Sequence, residues 1–163
     1  MKIAICYNEA MKTFTEKRFQ PLHELESGKQ NSLISMIKDC LLRNSEIVFA
    51  FVHGSFIKSD KFRDIDIAVF TTTNKNFYFE SDLSHELSSL TGYDTEVRII
   101  NGVPVAFQMA VLKDGLLLFS RDEDIRTDFI EEVGKRYREY AHFRNIFMGC
   151  DGAGHQQACK KQS

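Results

Sequence analysis

Tryptophan is absent from the sequence, and proline occurs only twice, at Pro21 and Pro104. With 43% hydrophobic and 27% charged residues, the composition excludes a disordered or fibrous chain. Cysteine is sparse as well. Cys6, Cys40, Cys150 and Cys159 form no CxxC pair and no dense framework, so a disulfide scaffold is not indicated. The stretch Cys150-x4-His155-x3-Cys159 lacks the first cysteine pair of a zinc knuckle, and a frayed terminus is the expected reading. No hydrophobic run is long. The longest, 47–52, is far too short to cross a bilayer. The apolar stretch 3–7 stops at Asn8, too short for a signal-peptide core. Neither sign of charge dominates: 21 Lys and Arg against 23 Asp and Glu give a net charge of −2. That balance offers no general attraction to nucleic acid or to an anionic membrane. The expected location is the cytoplasm.

What is present suits one globular domain. The chain has 163 residues, 43% of them hydrophobic and 27% charged. Fourteen phenylalanines supply the aromatic part of the core. Residues 1–30 form an N-terminal segment of unclear role, with a short strand expected near 2–7. Residues 31–148 should make the folded domain, and 149–163 a flexible tail.

Within the domain, Leu33, Ile34, Ile37, Leu41 and Leu42 recur at helical spacing, with Ser32 as the N-cap. The run 46–53 predicts a strand covered on both faces, hence a central one. Gly54-Ser55 breaks it, and a short helix or turn follows. A second strand is expected over 64–70 and a polar loop over 71–76. A helix over 81–90 carries Leu83, Leu87 and Leu90 on one face, and Gly92 ends it. A third strand spans 94–100. A proline-opened helix over 104–112 and a fourth strand over 116–119 follow. The last helix, 122–147, places Ile125, Phe129, Val133, Tyr137, Tyr140 and Arg144 on one stripe. Its Glu131–Lys135 and Glu132–Arg136 spacings describe a solvated face.

One segment carries chemistry. A buried strand ends at His53 and gives way to Gly54-Ser55, and eight residues later Asp64-Ile65-Asp66 enters another strand. Strand side chains alternate, so Asp64 and Asp66 share a face while Ile65, Ile67 and Val69 point into the core. Two adjacent carboxylates repel unless a cation lies between them. Mg²⁺ suits them, because it takes oxygen ligands and keeps positions for water or phosphate. Gly54 lets backbone approach a ligand closely, and Ser55 offers a hydroxyl and an N–H for phosphate. A phosphate cradle beside a metal is equipment for moving a phosphoryl or nucleotidyl group, and two ions about 3.5–4 Å apart would serve both reacting oxygens. His53 reads first as an ordinary strand histidine, with a place facing the site as the alternative. Lys58, Lys61 and Arg63 read equally as solvated loop.

Gly54-Ser55-x8-Asp64-Ile65-Asp66 resembles the signature of the polymerase-beta-like nucleotidyltransferase superfamily, and the chain resembles its minimal nucleotidyltransferase (MNT) branch over roughly residues 45 to 145. Its Gly-Ser to Asp-x-Asp loop is about two residues shorter than is usual there. The family carries a third acid five residues before an Asn that opens a proline-containing turn. Counting back from Asn101 places Glu96 in that role, where Asp is usual, with Asp94 as the fallback and Arg98 as a candidate ion-pair partner of Glu96.

The resemblance implies an α/β (α+β) nucleotidyltransferase fold: a small mixed sheet of four or five strands, with helices on one side. The strands of Asp66 and Glu96 must then be neighbours. It implies Asp64, Asp66 and Glu96 as catalytic metal ligands, Gly54 and Ser55 as triphosphate binders, Mg²⁺ as cofactor and ATP as substrate. It further implies transfer of AMP to a hydroxyl, with a tyrosine of a HEPN-type toxin as acceptor and an antitoxin role. The alternative is a binding module that neutralises a partner by contact. Transfer to a small molecule ranks third, since such enzymes usually carry an additional helical domain.

Overall fold

The computed structural model describes residues 22–25, 28–73 and 77–148. The strand expected near 2–7 and the tail 149–163 lie outside the described residues. The elements, in order, are β1 (His23–Glu24), α1 (Lys29–Leu42), β2 (Ile47–His53), α2 (Ser55–Lys58), β3 (Lys61–Phe62), β4 (Ile65–Thr71), α3 (Phe77–Thr91), β5 (Thr95–Ile99), α4 (Val105–Asp114), β6 (Leu116–Ser120) and α5 (Glu123–Met148). Every helix and strand expected between residues 31 and 148 is present. The two-residue strands β1 and β3, which pair with each other, carry too short a pattern to be read.

Four strands form the main sheet in the order β5-β4-β2-β6. β2 runs antiparallel to both neighbours, and β4 and β5 are parallel. As the apolar run of β2 predicts, that strand is central. Its six residues from Ile47 to Val52 are all buried. Helix α1 starts at Lys29, with Gly28 at the N-cap position in the left-handed conformation (φ 92°), earlier than Ser32 suggests. Gln30 explains the earlier start: its amide donates to the Phe56 carbonyl at 2.5 Å, pinning the first turn.

Helices cover both faces of the sheet, not one. On one side Leu33, Ile37 and Leu41 of α1 and Leu83 and Leu87 of α3 pack on Ala50, Val52, Ile65, Ile67 and Val69. On the other, Val111 of α4 and Phe129 and Val133 of α5 pack on Phe49, Phe51 and Ala68. The reason lies in β2, whose alternation offers large apolar groups to both sides. Phe49, Phe70 and Phe129 form a ring cluster with centroids 4.7 to 5.6 Å apart. The expected stripe on α5 is only half used. Phe129 and Val133 are buried, whereas Ile125 and Tyr140 are exposed. A helix of 26 residues spans about 39 Å and overhangs strands of five to seven residues. No helix among the described residues is long and apolar enough to cross a membrane.

The edge strand β5 is sealed by side chains of α3. Its outward N–H groups at Thr95, Val97 and Ile99 donate to Ser88 Oγ (2.9 Å), Ser84 Oγ (2.8 Å) and Glu80 Oε1 (2.6 Å). Helical i,i+4 spacing meets strand i,i+2 spacing, so three successive turns serve three successive rungs. On the same helix, Glu86 Oε1 lies 3.4 Å from the buried thiol of Cys40. Burial and that carboxylate push the thiol up to about 11.

Two outcomes follow from this packing. Ser84→Ala with Ser88→Ala should lower unfolding free energy by about 2–4 kcal/mol in urea melts, because two strand N–H groups lose their acceptors. Cys40, held as a thiol, should resist iodoacetamide at pH 8 in the native protein and react promptly in denaturant, as peptide mass mapping would record.

Candidate active site

Pairing register builds a row of polar residues across three strands. His53 on β2 is the partner of Asp66 on β4, and Asp66 is the partner of Glu96 on β5. Alternation sends all three side chains to one face, while Val52, Ile67 and Val97 fill the core beneath. The strands holding the two acids are neighbours, as the sequence requires. Asp64 stands one residue before β4, half-buried. Asp94 stands one residue before β5 and is exposed, its carbonyl accepting from the Ile65 N–H at 2.9 Å. Glu96, not Asp94, therefore lies beside Asp66.

Gly54 is the position where glycine is required. Its backbone takes φ 81° and ψ −159°, which L side chains rarely adopt. A Cβ there would meet Asp66 Oδ2 at 2.4 Å. The backbone at the end of β2 thus lies directly against the Asp66 carboxylate. Ser55 follows as an exposed residue at the start of α2, and no side-chain hydrogen bond caps that helix.

The acid row has its own counter-charge. Arg98 Nη2 donates to Glu96 Oε1 at 2.6 Å, confirming the pairing suggested by their shared face. The Arg98 guanidinium also sits over the Phe107 ring, 5.8 Å from its centroid. His53 meets the same ring edge-on at 5.5 Å. Burial, then the positive charge of Arg98, lowers the His53 pKa, so its imidazole is neutral at neutral pH. Two of the three loop cations are otherwise engaged: Lys58 pairs with Asp114 at 2.9 Å and Lys61 with Glu24 at 3.9 Å.

Asn101 and Gln108 fix the other ends of β4 and β5, five residues along from the two acids. The Asn101 amide accepts from the Thr71 N–H at 3.1 Å and donates to the Thr71 carbonyl at 2.8 Å, acting as one more rung between β4 and the turn after β5. Gln108, fully buried, donates to the Ile100 carbonyl at 2.8 Å and brings α4 onto the same turn. Phe107 follows Pro104 by three residues, and the proline carbonyl accepts its N–H at 2.9 Å. Sequence spacing pointed to Asn101 and Pro104 but not to Phe107, whose place depends on the tilt of α4.

The donor set fits a hard divalent cation in chemistry: half-exposed carboxylates on neighbouring strands, one of them against a glycine backbone that a Cβ would block. Among the described residues, no three His, Cys, Asp or Glu side chains converge closely enough to hold one ion in this conformation. Glu96 is turned to Arg98 instead.

The fold has known relatives. It is similar to a solved toxin–antitoxin MntA–HepT structure, at 16% identity and a TM-score of 0.58 over 76% of this chain and 97% of that chain. It is similar to a structure of a tri-AMPylated HEPN toxin of Shewanella oneidensis in complex with an MNT antitoxin, at 17% identity and a TM-score of 0.58 over 74% of this chain and 93% of that chain. A third, a toxin–antitoxin structure with AMP-PNP, is 19% identical with a TM-score of 0.60 over 74% of this chain and 95% of that chain. At these identities the likeness is one of fold. No curated protein matches the chain. The model of the family described as Polymerase beta, Nucleotidyltransferase matches residues 35–124. That stretch is more than half of the sequence and takes in Gly54-Ser55, Asp64, Asp66 and Glu96. The chain belongs to the polymerase beta nucleotidyltransferase family.

Proposed function

We propose that the protein is an Mg²⁺-dependent adenylyltransferase that moves AMP from ATP to a hydroxyl of a HEPN-type partner protein, acting as its antitoxin. The observation that carries this reading is the in-register pair Asp66–Glu96 with Gly54 pressed against Asp66. A tri-AMPylated HEPN toxin and a nucleotide analogue among the structural relatives support the choice of partner and nucleotide.

In this reading Asp64, Asp66 and Glu96 hold the metal, and Gly54 and Ser55 hold the triphosphate. Bound there, Mg²⁺ supplies charge neutralisation for the polyphosphate and for the departing pyrophosphate. The acceptor oxygen forms a bond to the α-phosphorus as the bond from that phosphorus to the α–β bridging oxygen breaks. Pyrophosphate leaves with the bridging oxygen. Glu96 takes the proton of the acceptor hydroxyl and passes it to solvent. Gly54 keeps Asp66 upright by adding no side chain of its own.

A second reading, neutralisation by contact alone, is favoured by one feature. The overhanging end of α5 exposes Tyr140, Phe143, Ile146, Phe147 and Met148, an apolar surface of the kind that meets partners.

Incubation with Mg²⁺, ATP labelled at the α-phosphate and a candidate HEPN-type partner separates the two. The expected result is label on a partner tyrosine, with the added mass of AMP on the peptide. Asp64→Ala with Asp66→Ala should cut transfer about a thousandfold, the several kcal/mol that metal-held charge provides. A double variant that still neutralises the partner, with wild type transferring no label, would favour contact alone. Gly54→Ala should lower transfer at least about tenfold while the protein remains folded by circular dichroism, since the strained φ and the displaced Asp66 together cost about 1–3 kcal/mol.

A further inference from the structure

We propose that Arg98 is an exchangeable counter-cation of the site: it neutralises Glu96 while nucleotide is absent and transfers to the triphosphate when the metal–nucleotide complex arrives. The inference rests on the adenylyltransferase reading and assigns a positioning residue within it.

Three observations carry it. The Arg98–Glu96 contact is short, 2.6 Å, yet its members are 51% and 37% exposed, so the pair is well made and weakly held. Arg98 is seated on the Phe107 ring, so it has a fixed resting place beside the acid row rather than a random surface position. Glu96 is the partner of Asp66 in the sheet, so a cation arriving at Asp66 meets Glu96 next.

Charge decides the direction of exchange. Asp64, Asp66 and Glu96 would repel one another on adjacent strands without a cation, and Arg98 offsets part of that repulsion. A divalent ion competing for Glu96 both outbids the guanidinium for the carboxylate and repels it. The incoming triphosphate offers that guanidinium planar, multiply bonded contacts to phosphate oxygens. Two consequences of opposite sign follow. Arg98 should weaken binding of a bare divalent ion, because it occupies a ligand. It should strengthen binding of the metal–nucleotide complex, because it gains a phosphate. The site therefore favours metal and nucleotide arriving together over metal alone.

The test uses the full chain with Mn²⁺ as probe. Free Mn²⁺ is counted by electron paramagnetic resonance, first with Mn²⁺ alone and then with Mn²⁺ and AMP-PNP, whose binding is also followed by calorimetry. Arg98→Gln should bind Mn²⁺ alone on the order of tenfold more tightly than wild type and Mn·AMP-PNP on the order of tenfold more weakly. Arg98→Lys, which keeps the charge but loses the planar fork, should stay near wild type for Mn²⁺ alone and fall between the two for Mn·AMP-PNP. Thermal melts establish that both variants are folded. A purely structural Arg98 would leave Mn²⁺ affinity unchanged or lower both affinities together, and either result overturns the proposal. Wild type binding Mn·AMP-PNP normally in that case leaves the adenylyltransferase reading standing. Wild type failing to bind Mn·AMP-PNP overturns that reading and this inference with it.

Discussion

The row of hydrogen bonds from α3 to the outer edge of β5 is the constraint on which the site depends. Among the described residues, strand β5 has a backbone neighbour on one side only. Without Glu80, Ser84 and Ser88, its outward N–H groups would face water and the strand could slip or fray. A slip of one residue would turn Glu96 to the opposite face and bring Thr95 or Val97 beside Asp66. The helix therefore does more than cover the core with Leu83 and Leu87. It fixes a register, and the register fixes which acid meets which.

The same logic explains why Asn101 and Gln108 cluster where β5 ends. Asn101 closes the open end of the β4–β5 pair with two bonds to Thr71. Gln108 draws α4 onto the turn and so sets the height of Phe107 above the acid row. Fold and chemistry are linked here through α4, which carries both Gln108 on the turn and Phe107 against Arg98 and His53.

Much of this was legible in the sequence. The apolar run 47–52 announced the central strand, Gly54-Ser55 its end, and Asp64-Ile65-Asp66 the acid-bearing entry to the next. Adjacency of the acid strands followed from the requirement that carboxylates share a cation. The sidedness of the helices did not, although β2 hinted at it. Its alternating large groups on both faces leave no room for a bare side. The edge ladder was hidden because serine at helical spacing looks like ordinary surface unless a strand edge is known to lie opposite. Phe107 escaped for a related reason, and for the same reason a place facing the site was only the second reading of His53. A histidine at a strand end and a phenylalanine on a short helix gain meaning only from what sits across from them, and no local pattern encodes that.

His53 and Asp66 lie 13 residues apart and Glu96 another 30 on, so the three meet only after β2, β4 and β5 have all docked. On the ribosome, a growing chain that has released residues up to β4 holds two of the three and lacks the strand that completes the row. Assembly of the site thus waits for β5, and a prematurely terminated product ending before residue 96 would carry the signature motif without the constellation it belongs to.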